Sequence, residues 1–167
     1  MEKFKTLFYV KASLIFLYLA LTTPIPIISG KELKIVSILS FVFGLIIIIN
    51  ITNDYVEISD KKISYKTTFL SSFFGKNGWE ISWKDIKLIK SLPTSQGNKV
   101  HYFVTKKDEC FLVPQRVENF EKFVSLISTK ANLKIDELSY ISPLWTYKLL
   151  TYLSICMIIG EIIAFSI

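Results

Sequence analysis

The stretch FVFGLIIIINI, residues 41–51, is the most apolar part of this sequence. It lies inside a charge-free run from Ile35 to Asn53, and another such run extends from Ala12 to Gly30. About 20 apolar residues, each rising 1.5 Å, cross the hydrocarbon core of a bilayer, so each run is a candidate transmembrane helix. Only KELK, residues 31–34, separates the two runs. The sequence therefore predicts a transmembrane helical hairpin within residues 1–53.

The first run could be a retained span or a cleaved signal peptide. Three lysines among the first eleven residues suit either role, but no small-x-small cleavage site lies ahead of Lys31, which favours a retained span. Pro24 and Pro26 fit poorly inside a helix. A helix that begins near Lys5 and ends near Thr23 is therefore the alternative to one that fills the whole run.

A third apolar run covers Trp145–Ile167. Its aromatic residues Tyr147 and Tyr152 lie, with Trp145, where an interfacial belt would hold a helix. Glu161 interrupts the run, so its apolar character is weaker than that of the first two. We predict a linker and a third transmembrane helix within residues 136–167.

The distribution of charge predicts the topology. The first eleven residues carry three lysines against one glutamate, and residues 53–148 carry 15 Lys and Arg side chains against 11 Asp and Glu. Positively charged segments favour the cytoplasmic side, so the N-terminus and residues 54–143 should both be cytoplasmic or stromal. The net charge of +6 suits contact with anionic lipids, and a solvated surface explains it equally well.

Between the second and third runs the pattern alternates with period two, which is typical of half-buried strands. The predicted hairpins comprise Tyr55–Ile58 with Ile63–Thr67, and Val100–Thr105 with Cys110–Val113. Residues 68–74 are predicted to continue as a strand. Further along, the alternation places Trp79, Ile81 and Trp83 on one inward face.

An amphipathic helix is predicted from about Val117 to Ala131, because apolar residues recur there at three- and four-residue spacing. Those expected to pack inward include Val117, Phe120, Val124 and Ile127. About six antiparallel strands and one helix within residues 54–135 suit a small antiparallel β barrel or sandwich whose open end the helix covers. The predicted fold class is therefore membrane α-helices combined with a soluble β domain.

Two phrases in this segment resemble bacterial pleckstrin-homology-like (PH-like) domains: YVEISDKKI, residues 55–63, and ISWKDI, residues 81–86. The order of the strands and the closing helix resemble that family over about residues 54–131. Such domains often follow a transmembrane hairpin. The resemblance implies a PH-like soluble domain.

The hairpin followed by a soluble domain is also similar to the layout of the two-span photosystem I assembly factor family of cyanobacteria and plastids. That resemblance implies assembly of a photosynthetic complex in the thylakoid membrane. The sequence departs from the family by its third apolar run, and no functional residue matches position by position. Of twenty basic residues only Arg116 is arginine, a bias that AT-rich coding favours in small bacterial or organellar genomes.

The sequence contains no pattern typical of an enzyme, a cofactor site or a metal site. It has no glycine-rich phosphate loop, no nucleophile elbow and no paired His and Cys ligands. Its carboxylates are scattered over predicted turns and strand ends, where we expect solvated side chains; they include Asp54, Asp60, Asp85 and Glu118. We expect His101 to be a structural or a surface residue, and Cys110 and Cys156 to be buried, inert thiols.

A set of basic residues is the first candidate contact site. In a PH-like fold, basic side chains near strand ends could bind anionic head groups or a partner. The set comprises Lys84, Lys87, Lys90 and Arg116, with Lys99, Lys106 and Lys107 as further members. The three-residue spacing of Lys84, Lys87 and Lys90 does not place all three on one strand face, so a solvated surface is the favoured alternative.

Glu161 is the second candidate. It lies fourteen residues beyond Tyr147, about 21 Å along a helix. An acid within a hydrocarbon core about 30 Å thick is costly and usually faces protein or water. Glu161 is therefore either near the far interface or hydrogen-bonded within the chain, or it contacts a partner helix or a bound pigment.

These observations predict a non-enzymatic integral membrane scaffold or assembly factor whose soluble domain docks a protein of a membrane complex. Membrane lipids are expected partners, whereas nucleic acid and cofactors are not. In a photosynthetic source, the thylakoid membrane is the expected location and a photosynthetic complex the natural client. The alternative is a lipid-surface binding module that recognises anionic head groups, and an accessory subunit of a transporter is a third reading.

Overall fold

The computed structural model describes residues 1–95, 97–133 and 138–166, and within them strands and helices form two compact units. The elements are β1 (Glu2–Lys5), α1 (Phe8–Thr22), α2 (Pro24–Ile28), α3 (Lys34–Ile51), β2 (Tyr55–Ile58), β3 (Lys62–Lys66), α4 (Phe69–Phe73), β4 (Trp79–Ser82), β5 (Ile86–Pro93), β6 (Lys99–Thr105), β7 (Cys110–Leu112), α5 (Phe120–Ala131) and α6 (Leu144–Ser166). The β unit comprises Met1–Leu7 and Asn53–Pro143, and the helical unit comprises Phe8–Thr52 and Leu144–Ile167.

The helical unit contains the three predicted apolar helices. Phe8–Ile28, α3 and α6 are each long and apolar enough to cross a membrane. The first of them is divided in two, because α1 ends at Thr22 and Pro24 begins α2. Proline is tolerated at a helix start, where its missing N–H costs nothing. The alternative helix end near Thr23 is therefore the one that the structure adopts.

Small residues line the contact between α1 and α6. Ser13 and Ala20 are buried on α1, and Thr151 and Ser154 are buried on α6. Small side chains let helix backbones approach closely, and the hydroxyls of Ser13, Thr151 and Ser154 donate to carbonyls of their own helices. On the other side of α1, the Tyr18 hydroxyl donates to the Phe41 carbonyl of α3 at 2.7 Å.

The β unit contains two antiparallel sheets, one ordered β1-β2-β3-β4 and the other β5-β6-β7. Both predicted hairpins are confirmed. A closed barrel is wrong, because the two sheets share no strand pairing in the described residues. The chain leaves the first sheet at a 3-10 turn, Trp83–Asp85, where the Trp83 indole N–H donates to the Ser59 carbonyl at 2.9 Å.

Strand β1 is a departure from the sequence reading, which assigned residues 1–53 to the hairpin. Lys3 and Lys5 suggested a charged flank, but the alternation with Phe4 makes a strand that pairs with β2. Phe4 is buried, and its ring contacts that of Phe123 edge-on at 5.3 Å. The first sheet is therefore assembled from segments on both sides of the α1–α3 hairpin.

The strand predicted over residues 68–74 is also wrong, since this segment forms the short helix α4. Thr68 caps the helix: its hydroxyl oxygen accepts the Ser71 N–H at 3.3 Å. Such caps satisfy backbone donors that a helix start leaves free. After the helix, Gly75 adopts a φ of +81°, a left-handed conformation that suits glycine and ends the helix.

One core joins both sheets and α5. Its members are Phe4, Val56, Ile58, Ile63, Ile81, Trp83, Ile86, Phe103, Val113, Val117, Phe120, Phe123 and Ile127, all buried. The predicted inward face is confirmed, with Trp79 partly buried against this core. Helix α5 begins three residues later than expected, because Val117 bridges Thr6 and Asn119 takes a left-handed conformation.

Candidate functional site

The three-stranded sheet has an apolar outer surface. Its inward residues include Ile89, which pairs with Phe103, and Phe103 in turn pairs with Phe111. Side chains alternate along a strand, so the residues between these point outward. The outward residues are Leu88, Lys90 and Leu92 on β5, Val100, Tyr102 and Val104 on β6, and Cys110 and Leu112 on β7. We call this set the apolar sheet face.

The leucines of the apolar sheet face are well exposed. Leu88 and Leu92 are each 40% exposed, and Leu112 is 50% exposed. An antiparallel sheet with one solvated face ordinarily places polar residues there. Here Lys90 is the only charged member of eight, and it lies directly opposite Tyr102. Large exposed apolar patches mark surfaces that bind another molecule.

An irregularity at the start of β5 creates the outward row of leucines. Ile86 pairs with Thr105 and points into the core, and the register then shifts between Ile86 and Leu88. A β-bulge of this kind inserts an extra residue, here Lys87, and re-aims the side chains that follow. Leu88 consequently faces outward, opposite Val104.

The predicted basic set is divided by the fold. Lys90 belongs to the apolar sheet face, Lys87 sits at the bulge with Asp108 at 3.3 Å, and Lys84 is exposed in the 3-10 turn. Arg116 lies elsewhere, since its carbonyl accepts the Leu7 N–H at 2.9 Å. Three of the four residues therefore lie on or beside one sheet, and the fourth lies next to the first residues of the chain.

The structure corrects the predicted burial of the two cysteines and places His101 in the interior of the β unit. Cys110 and Cys156 are exposed rather than buried. The pairing of Cys110 with Val104 turns its thiol toward the outward side of the sheet. His101 is fully buried, and its Nδ1 lies 2.8 Å from the Ser91 hydroxyl, in keeping with a structural role.

Asp54 forms a buried polar cluster that the sequence reading treated as solvated surface. The residue is 2% exposed. Its Oδ1 accepts the Thr68 N–H at 3.1 Å and the Ser71 hydroxyl at 3.0 Å. Its Oδ2 accepts the Tyr65 hydroxyl at 3.0 Å and the Lys76 ammonium at 2.6 Å. A buried carboxylate needs this many donors, so the cluster holds α4 against β3.

The electrostatics of the cluster favour one protonation state of Tyr65. Burial raises the pKa of Tyr65 far above its ordinary value, and the neighbouring Asp54 charge raises it further. The neutral phenol therefore remains a donor to Asp54. Lys76 lies 5.4 Å from the Tyr65 ring centroid, where a cation is attracted to the ring face. No part of the sequence pattern indicated this cluster, because its members are separated by up to 22 positions.

Glu161 lies on the stripe of α6 that also contains the buried Thr151 and Ser154. Residues three, four and seven positions apart share one helix face, and Tyr147 belongs to the same stripe. The Glu161 Oε2 and Tyr147 hydroxyl atoms are enclosed and have no hydrogen-bond partner among the described residues. The Glu161 carboxyl group thus lies on the side of α6 that packs against another helix.

Comparison with known proteins yields one informative relative. No protein-family profile matches the sequence, and no solved structure matches it. An uncharacterized protein of Synechocystis sp., slr0269, is 30% identical over 147 residues, which cover 84% of this chain and 74% of that protein. This chain belongs to the family of slr0269. The PH-like resemblance and the resemblance to photosystem I assembly factors remain predictions.

The family relationship assigns no chemistry to this chain, because slr0269 is itself uncharacterized. The relative comes from a cyanobacterium, and the bacterial or organellar origin of this chain stays a prediction. Helices long enough to cross a membrane agree with the expected membrane class. The apolar sheet face and Glu161 therefore carry the functional argument.

Proposed function

We propose that this protein is a non-enzymatic, three-span membrane scaffold or assembly factor that docks a partner protein on its apolar sheet face. The single observation that supports this most is the outward row Leu88, Leu92 and Leu112, exposed by 40–50%. In the cores of protein interfaces, apolar and aromatic side chains replace the charged residues of ordinary surface. The apolar sheet face has that composition, with Tyr102 near its centre.

The sheet geometry favours a protein partner with a flat apolar surface or an extended segment. Strand β5 is an edge strand of eight residues, and its outer backbone groups have no strand partner in the described residues. An extended peptide can add to such an edge and place alternate side chains on the sheet. Lys90 provides a complementary charge for a carboxylate on that peptide.

A PH-like identity of the β unit is part of the proposal. Its support is the succession of a four-stranded sheet, a three-stranded sheet and a closing helix, together with the two sequence phrases named above. In this view, α1–α3 form an insertion between the first two strands. The positive-inside argument then places the β unit on the cytoplasmic or stromal side.

A photosynthetic membrane complex is the client that we propose to examine first. The reason is the cyanobacterial source of the relative, combined with the hairpin-and-domain layout. A lipid-surface role for the basic residues is the competing function. In that case, Lys84, Lys87, Lys90 and Arg116 would contact anionic head groups rather than protein.

Site-specific photo-crosslinking in native membranes tests the docking face. A photoreactive amino acid at Leu112 should give a discrete protein adduct, and the same residue at Ser82, on the outer side of the other sheet, should not. Leu88→Glu on the same face should abolish the Leu112 adduct. Adducts with lipid alone would favour the competing function. Equal adducts at both positions would contradict a specific face.

Glu161 is a second point of contact in the proposed scaffold. We propose that the Glu161 carboxyl group is protonated or hydrogen-bonded at a helix–helix contact that belongs partly to a partner, since an isolated charge in hydrocarbon is costly. Glu161→Gln keeps size and hydrogen bonding and should preserve association, whereas Glu161→Leu should weaken it. The measurement is the yield of the Leu112 adduct in each variant. Equal yields would restrict Glu161 to packing within this chain.

A further inference from the structure

Helix α4 exposes three phenylalanine rings together. Phe69 is 85% exposed, Phe73 is 77% exposed and Phe74 is 59% exposed. Phe69 and Phe73 are four residues apart and so share one helix face, while the Phe73 and Phe74 rings meet edge-on at 5.7 Å. We call these three residues the phenylalanine patch.

The polarity of α4 is reversed relative to an ordinary surface helix. A surface helix turns its apolar stripe to the core and its polar side to water. In α4 the buried residue is Ser71, whose hydroxyl donates to Asp54 Oδ1 at 3.0 Å, and the phenylalanines point away. Burial of Ser71 thus fixes the outward direction of the rings. Exposure of the apolar rings to water is unfavourable in free energy, and an apolar environment around the rings would remove this cost.

The residue that anchors α4 follows an apolar helix closely in the sequence. Asp54 bonds the Thr68 N–H and Ser71 of α4, and it follows Ile51, the last residue of α3, by three positions. Three extended residues reach at most about 10 Å. The Thr6 hydroxyl, two positions before α1, donates to the Asp54 carbonyl at 2.9 Å. Both chain connections to the hairpin therefore meet at the residue that anchors α4.

We infer that the phenylalanine patch inserts into the interfacial layer of the bilayer that α1–α3 cross. This inference rests on the membrane anchoring in the proposed function, and it adds a lipid contact that the docking face does not provide. Amphipathic segments with aromatic residues bury their apolar face about 5–10 Å into the boundary between head groups and acyl chains. Lys66 and Lys76 flank the helix with side chains about half exposed, 47% and 50%, as suits an interface with anionic head groups.

Fluorescence in liposomes tests the inference with the full chain. The native thiols are removed by Cys110→Ser and Cys156→Ser, and an environment-sensitive label is attached to Phe73→Cys. Ser72→Cys on the same helix is the matched control, and Lys107→Cys in the β6–β7 turn is a distant control. The vesicles contain phosphatidylcholine and phosphatidylglycerol, some with spin-labelled acyl chains. Flotation after an alkaline wash reports membrane anchoring separately.

The expected result is a blue-shifted label at position 73 that spin-labelled lipids quench, at a depth of about 5–10 Å. The label at position 107 should stay water-like and unquenched, and that at position 72 should be intermediate. If the protein floats with the vesicles but its label at position 73 behaves like the one at position 107, the insertion is overturned and the docking proposal is unaffected. Loss of flotation overturns the anchoring, and the insertion with it.

Discussion

The two sheets of the β unit share one core, but the outer side of one sheet is charged and that of the other is apolar. The four-stranded sheet is charged on its outer side, where Lys62 contacts Glu80 at 2.7 Å and Lys66 lies 3.9 Å from the same carboxylate. On the outer side of β1 and β2, Lys3 lies 3.6 Å from Glu57. The three-stranded sheet instead carries the apolar sheet face. The four-stranded sheet packs on the same core with a charged outer side. Packing on this core therefore does not require a sheet to have an apolar outer side.

This difference supports the proposed docking face more strongly than composition does. Exposed leucines scattered singly are normal in proteins. A row of them on one sheet, with an ion-paired surface on the adjacent sheet of the same unit, is not explained by folding alone. The contrast is the support for our proposal that a partner docks on the three-stranded sheet.

The comparison assumes that one core supports both sheets. Of the substitutions considered, Phe120→Ala should lower the free energy of unfolding most. Phe120 is buried, and its ring lies 6.0 Å from Phe123 and 4.6 Å from Tyr140. Loss of a fully buried ring costs about 3–5 kcal/mol. Urea unfolding of the solubilised chain in a Trp145→Phe background, followed by the fluorescence of Trp79 and Trp83, measures this. The exposed neighbour substitution Glu121→Ala should stay within about 0.5 kcal/mol of wild type, and a cost under about 1 kcal/mol for Phe120→Ala would show that α5 is not part of the shared core.

Asp54→Ala should come next, because it leaves buried donors without an acceptor. The free energy of unfolding should fall by about 2–3 kcal/mol, the cost of unsatisfied polar groups near a former charge. Asp60→Ala is the matched control, since Asp60 is an exposed carboxylate paired with Lys130 at 2.5 Å. The same urea titration should find Asp60→Ala close to wild type. Equal effects of the two substitutions would contradict the structural role of the Asp54 cluster.

The charged sheet should also respond to pH where the apolar sheet face does not, and this is the smallest effect. The hydrogen bond from Lys62 holds the pKa of Glu80 below its ordinary value, with help from the charges of Lys62 and Lys66. A lowered folded pKa gives stability that is present above the unfolded pKa, about 4.3, and lost as pH falls through the folded pKa. Thermal unfolding below pH of about 5 should therefore be less pH-dependent in Glu80→Gln. Leu112→Gln should keep the wild-type dependence, and a parallel loss in both variants would refute the assignment.

Run length and periodicity are sufficient to predict the elements with long, regular patterns. The three apolar helices follow from the length of the apolar runs, and both hairpins and α5 follow from the spacing of apolar residues, with boundaries within a few positions. The strand β1 was missed because a single phenylalanine between lysines carries too little pattern. Helix α4 was missed because its apolar residues are outside and the residue that fixes it is Asp54, fourteen positions away from Thr68.

The candidate site was only partly predictable for a similar reason. The sequence predicted a contact set that includes Lys84, Lys87 and Lys90, which lie in or beside β5. Their spacing alone does not show which of them lie on the same side of the sheet. That face depends on the bulge at Lys87, which reverses the direction of the leucines after it. A one-residue shift of this kind moves every following side chain to the other side of a sheet. The apolar sheet face therefore emerges only from the pairing register.

The most direct test separates folding from docking on the apolar sheet face. Leu88→Thr with Leu92→Thr keeps strand propensity but removes apolar surface, and Lys62→Thr with Lys66→Thr is the matched pair on the charged sheet. In both variants we measure the free energy of unfolding and the protein adduct formed by a photo-crosslinker at Leu112. We predict that both pairs stay within about 1 kcal/mol of wild type and that only the leucine pair loses the adduct. An adduct that survives the leucine pair, or a large loss of stability from it, would contradict the assignment of this face to a partner protein.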